Sequence, residues 1–209
     1  MSDNQGVVSA KQARSRQTHQ RLVASCVEQL REMTFDRVTI ADIARGAGVS
    51  VGNFYRRFTS KEAILPDLYK EYDRRFAAFA SDFGLVPDDE PHDLREGVTR
   101  VVGAIARFLN ENRGLVQALH LHARLHPEII PVRSHDDRHG LYARFSELLP
   151  DAEPGRAWLV GRTIGMLVVS ALTEQILYPE HTPAAAAAIE TDDFVDELVE
   201  VIVRYIEAE

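Results

Sequence analysis

Along most of the chain, apolar residues recur every three or four positions, and short polar breaks carry Gly, Pro or acids. That period belongs to amphipathic α-helices; the period-two alternation of strands is nearly absent. Leu22, Val23, Cys26, Val27 and Leu30 predict a first helix over about Gln17 to Met33, with Cys26 in its core stripe. Thr39 and Asp42 have capping-box spacing ahead of Ile43 and Ala44, so a second, short helix is expected, ended by Gly48. Thr59 and Glu62 repeat that spacing and predict a long helix from about Ser60 to Phe83. Further helices are expected over Asp93 to Asn112, Leu115 to Arg124, Pro131 to Leu149, Arg156 to Tyr178 and Phe194 to Glu207. With one more short helix after Gly48, the expectation is an all-α chain of about nine helices.

That remaining helix lies in GVSVGNFYRRF, Gly48 to Phe58. At about 100° per residue, Phe54 and Phe58 share one face, with Val51 at its edge, and Gly52, Asn53, Tyr55 and Arg56 occupy the opposite arc. Ser50 stands at the N-cap position. A glycine inside a helix costs about 1 kcal/mol relative to alanine, so Gly52 needs a reason. Helix, glycine turn, helix is the helix-turn-helix pattern, in which the second helix enters the major groove. A residue without a side chain lets that helix approach the duplex closely. Asn53 suits an adenine edge, Arg56 a guanine or a phosphate, and Tyr55 a phosphate or a thymine methyl. Thr39, at a helix N-terminus, can donate to phosphate, and Lys61 is placed for another.

Charge agrees with this placement. The 209-residue chain carries a net −8, yet residues 1–62 hold ten basic and six acidic residues. A basic module, about residues 1–60, on an acidic body, about 61–209, is expected. Lys11, Arg14 and Arg16 form a basic arm that can follow the minor groove or remain a solvated tail. Arginine is the default cation here, 21 against 3 lysines, so single arginines carry little weight.

The stretch FDRVTIADIARGAGVSVGNFYRRFTSKEAIL resembles the DNA-binding signature of TetR-family transcriptional regulators over about Arg21 to Leu65. The resemblance implies a homodimer with a three-helix N-terminal DNA domain and a larger helical domain that binds a small molecule. It puts Thr39, Ser50, Asn53, Tyr55 and Lys61 at positions that commonly meet DNA. Val51 departs from a frequent lysine, which would remove one contact.

In the helix Arg156 to Tyr178, the stripe Gly161, Gly165, Val168 and Leu172 suits close approach of another helix. The last helix has Phe194, Leu198, Val201 and Tyr205 on one line and further apolar residues on the next, an arc wider than one core needs. Together these predict a homodimer interface. For a ligand pocket the candidates are Phe108, His120, His122, Tyr142, Phe145, Trp158, Arg162, Thr163, Met166 and Ser170, with a largely apolar effector as the default.

His122 and His126, and His135 and His139, are each spaced four apart, but surface histidines near helix ends explain this and no metal or other cofactor is expected. No Gly-rich phosphate loop, G-x-S-x-G or HExxH motif is present, so no catalytic residue is assigned. The competing reading is an all-helical enzyme or metal-binding protein whose helix-turn-helix is structural. A polar N-terminus and one cysteine point to a cytoplasmic protein without a membrane partner. The most direct reading is a ligand-responsive repressor of a near-palindromic operator.

Overall fold

The computed structural model describes residues 3–82, 93–130, 145–149, 153–178 and 189–208. Among them are eight α-helices: α1 (Asp3–Gln29), α2 (Ile40–Gly46), α3 (Val51–Tyr55), α4 (Leu65–Asp82), α5 (Leu94–Glu111), α6 (Arg113–Leu125), α7 (Pro154–Leu177) and α8 (Thr191–Glu207). Three 3-10 turns, Glu62–Ile64, Pro127–Ile129 and Phe145–Leu148, complete the all-α fold. The helix expected over Pro131 to Leu149 falls mostly outside the described residues, and its described end is the 3-10 turn.

Two helix starts differ from expectation. The first helix begins at Asp3, not near Gln17, so Arg14 and Arg16 lie on its exposed helical surface. No Gly or Pro break separates the polar stretch from the amphipathic one in this helix, apart from Gly6 near its start. Thr59 does not cap the fourth helix. Ser60 Oγ accepts from the Ala63 N–H at 3.3 Å, a 3-10 turn follows, and α4 starts at Leu65. Pro66 is the cause: it has no N–H to continue an α-helix from Glu62, but suits a first turn.

The chain forms two compact units. Unit 1 is Met1–Tyr72 with Gly114–Pro131; unit 2 is Asp73–Arg113 with Val132–Glu209. This differs from a single division at residue 60. Unit 1 surrounds a core of Leu22 and Cys26 of α1, Leu30 just after it, Ile43 of α2, Phe54 of α3, and Leu65 and Leu68 of α4. Leu115, Ala118 and Leu119 of α6, with Ile129, complete it. The start of α6 approaches the turn after α1 tightly: a Cβ at Gly114 would stand 1.7 Å from the Leu30 carbonyl oxygen.

In unit 2, α5 packs against α7, α8 and the Phe145–Leu148 turn. The spacing of Val98, Val101, Val102, Ile105 and Leu109 gives α5 one buried face. By length and composition α7 can cross a membrane, although Arg162 and Glu174 lie within it. Packing in unit 2 accounts for one of its faces: Val160, Ile164, Val168, Leu172 and Ile176 are buried.

Candidate nucleic-acid interface

The helix-turn-helix is built from local signals. Thr39 Oγ1 accepts from the Asp42 N–H at 3.1 Å, and the Asp42 carboxylate accepts from the Thr39 N–H at 3.3 Å and its hydroxyl at 2.5 Å. This closes the capping box on α2 and satisfies orphan donors of its first turn. The Thr39 hydrogen bond, chiefly, holds the Asp42 carboxyl below its ordinary range; Arg45, ion-paired to it, adds to the effect. At the other end, the Ala47, Gly48 and Val49 N–H groups return to the carbonyls of Ile43, Arg45 and Ala44. Gly48 has φ +62°, a left-handed conformation that glycine adopts without a Cβ penalty.

α3 then presents two faces. Phe54 and Phe58 are buried, with ring centroids 5.1 Å apart, and Phe58 meets His19 of α1 at 5.1 Å. Burying each phenylalanine is worth about 1.5–3 kcal/mol. Val51, Gly52, Tyr55 and Arg56 are exposed, and Asn53 is half-buried. The space around Gly52 matters most. A Cβ there would meet nothing nearer than Ser50 Oγ at 3.8 Å, so the protein's own packing does not require glycine.

Three residues behave differently from expectation. Ser50 holds the N-cap position of α3 but makes no side-chain cap; its Oγ accepts from Asn53 Nδ2 at 3.1 Å. Asn53 is thereby held before any base is met. Lys61 has partners of its own: its ammonium donates to the carbonyls of Phe35 at 2.9 Å and Asp36 at 3.1 Å and lies 4.8 Å from the Phe35 ring centroid. It ties down the α1–α2 connection. Arg57, absent from the sequence-based set, donates to the Asn53 carbonyl at 3.0 Å and, at 3.4 Å, to the Ser15 carbonyl of α1. It braces the end of α3, and its only sequence signal is its place beside Arg56.

The other candidate sets separate. Gly161, Gly165, Val168 and Leu172 are buried inside unit 2, so this stripe is not a face for a second subunit. Gly161 serves the chain's own turn: a Cβ there would stand 2.5 Å from the Ser146 nitrogen. The opposite face of α7, with Trp158, Leu159, Met166 and Leu167, is exposed. On α8, Val201 is 61% and Tyr205 40% exposed, while Phe194 and Leu198 are half-buried.

Of the ten pocket candidates, Phe108 alone among the described ones lines the unit 2 cleft between α4 and α5, a cavity of about 520 Å³. Arg74, Arg75, Phe79, Arg107 and Asn112 line it too. Trp158, Thr163, Met166 and Ser170 lie on the exposed face of α7, and the Arg162 guanidinium stacks 4.9 Å from the Trp158 ring centroid. Phe145 is fully buried core. His120 and His122 belong to α6 in unit 1, where His122 meets the Phe35 ring edge-on at 5.0 Å. Tyr142, with His135 and His139, lies outside the described residues.

A capped helix, a glycine turn and a second helix with an outward polar face define a helix-turn-helix DNA-binding protein of the all-α class. Residues 22–68, which hold α2, the turn and α3, match the model of the bacterial regulatory proteins of the tetR family. Solved structures repeat the fold. A TetR-like transcriptional regulator from Rhodococcus sp. RHA1 is 18% identical, with 92% of this chain and 97% of that one covered and a TM-score of 0.59. The TetR-family regulator PfmR from Thermus thermophilus is 18% identical over 88% and 97% of the two chains, with a TM-score of 0.58. A tetR-family regulator from Streptomyces coelicolor is 23% identical over 90% and 89%, with a TM-score of 0.53. No curated protein sequence matches the chain.

Proposed function

We propose that the protein is a homodimeric, cytoplasmic repressor that leaves a near-palindromic operator when a small molecule binds unit 2. The observation that carries the DNA side is the outward face of α3. Val51, Tyr55 and Arg56 flank a glycine that the fold itself does not need, with Asn53 beside it. In this reading Thr39 and Ser50 border the same surface, and Lys61 supports it from behind. Two such helices in a dimer meet successive major grooves at about 34–36 Å or a multiple of it.

The dimer face is the exposed side of α7 and α8, with Met166, Leu167, Val201 and Tyr205 as its apolar centre. These side chains are large, exposed and apolar, which marks an association surface. α4 is the natural lever, because one helix runs from unit 1 into unit 2. Any ligand that lowers DNA affinity through it must bind the DNA complex more weakly by the same factor.

The test is a gel shift on the region upstream of the protein's own gene. Salt-sensitive, site-selective binding is expected, since phosphate contacts release counterions. Binding without site preference, or none, overturns the reading.

A further inference from the structure

The two short helices of the DNA-binding module start in different ways. Thr39 Oγ1 accepts from the Asp42 N–H three residues on, as an N-cap does. Ser50 holds the same position on α3, yet its side chain makes no such bond. The Asn53 N–H, three residues on, turns instead to the Ser50 carbonyl at 2.9 Å. The Ser50 hydroxyl is thereby left for the Asn53 side chain, whose Nδ2 donates to it at 3.1 Å. A serine that gives up its capping role needs another use.

Asn53 is held from other sides as well. Its carbonyl accepts from Arg57 Nη1 at 3.0 Å, and Arg57 Nη2 donates to the Ser15 carbonyl of α1 at 3.4 Å. Phe54, next in the chain, is fully buried. The backbone and the side chain of Asn53 are therefore both placed in the free protein, which lowers the cost of ordering them on binding.

The bond to Ser50 also decides what the amide shows. With one Nδ2 hydrogen given to Ser50, Oδ1 and the second Nδ2 hydrogen remain, and among the described residues Oδ1 meets no donor. An acceptor beside a donor complements the major-groove edge of adenine, its N6–H and N7. The reversed amide would turn its oxygen to the Ser50 hydroxyl and leave only N–H groups, which suit the N7 and O6 acceptors of guanine. An amide free to turn would serve either base.

We infer that Ser50 is a positioning residue for base recognition: by holding Nδ2 it fixes the Asn53 amide in the orientation that selects adenine over guanine. This rests on the reading that the outward face of α3 meets operator bases, and adds which base Asn53 reads and what sets the choice.

The test uses the full chain, selection from a randomised duplex library, and anisotropy on the selected duplex and its single-base-pair variants. Wild type should prefer adenine over guanine at one position by about 5- to 150-fold, and Asn53→Ala should abolish that preference alone. Ser50→Ala should cut the same ratio about threefold or more, as coupled neighbours do. Ser50→Gly, which suits an N-cap backbone, should do likewise, and Ser50→Thr, which keeps the oxygen, should preserve the ratio. In the Asn53→Ala background, Ser50→Ala should change no ratio. A serine that meets only a phosphate would weaken every sequence equally and leave the ratios unchanged. That result overturns the proposal, as does guanine at the position that depends on Asn53, or the lack of any such position. Site-selective binding with one of these results sinks this inference alone; binding without site preference sinks it together with the repressor reading.

Discussion

Replacing Gly52 with alanine should move stability and DNA affinity in opposite directions. The added Cβ would meet only Ser50 Oγ, at 3.8 Å, an ordinary van der Waals contact. The folded protein therefore accommodates it without strain. Removing a glycine from a helix gains about 0.5–1 kcal/mol, and α3 has five residues, so the lower part of that range applies. For a chain of this length each kcal/mol is worth roughly 2–4 °C in Tm, so a rise of about 1–2 °C is expected. On DNA the same methyl group stands on the face that must approach the bases. Losing one good base contact costs about 1–3 kcal/mol, a fall of roughly 5- to 150-fold per protomer. Thermal denaturation reads the first effect. Anisotropy of a labelled upstream duplex at about 0.15 M salt reads the second. A variant that is more stable and binds DNA as tightly as before would refute the groove-approach argument. A variant that is less stable would show that the fold needs the glycine after all.

Thr39→Ala removes the cap of α2 and should cost about 1 kcal/mol in urea denaturation. It should also raise the Asp42 pKa toward its ordinary value in an NMR titration. Because the folded-state pKa of Asp42 is depressed, its contribution is present above the unfolded value and lost as pH falls through the folded one. In the variant that loss should therefore be smaller and complete at a higher pH, while its onset, set by the unfolded chain, stays where it was. Met166→Glu with Leu167→Glu should halve the mass seen by light scattering, whereas Leu172→Ala, in the core, should keep the mass and cost about 2–5 kcal/mol. Cys26 is buried and its thiol is pushed up to about 12 by that burial, so it should stay unreactive to a disulfide reagent at pH 8 until urea unfolds the chain.

The DNA-binding half was legible because its signals are local. A capping box four residues long, a glycine at the turn and two phenylalanines four apart fix α2, the turn and α3 whatever the rest of the chain does. The same signals misled where a neighbour intervened. Thr59 and Glu62 have capping-box spacing, but Pro66 delays the helix. Lys61 looks like a phosphate donor until the Phe35 and Asp36 carbonyls are found beside it. The faces of α7 were not legible at all. A stripe of small residues permits close approach without saying by what, and the chain's own 145–148 turn fills the place expected for a partner. The arginines of the cleft were also invisible: Arg74, Arg75 and Arg107 are ordinary surface residues until α4 and α5 bring them together.

The return of α6 to unit 1 has a consequence for how the protein can be taken apart. Leu115, Ala118 and Leu119 fill the same core as Phe54, and Gly114 leaves no room beside Leu30 for a larger residue. A fragment cut after Tyr72 would lack these side chains and leave Leu22, Leu30 and Leu68 short of neighbours. Grafting this recognition module onto another sensor is therefore not a single-junction exchange; the donor must supply α6 as well, and with it two further splice points.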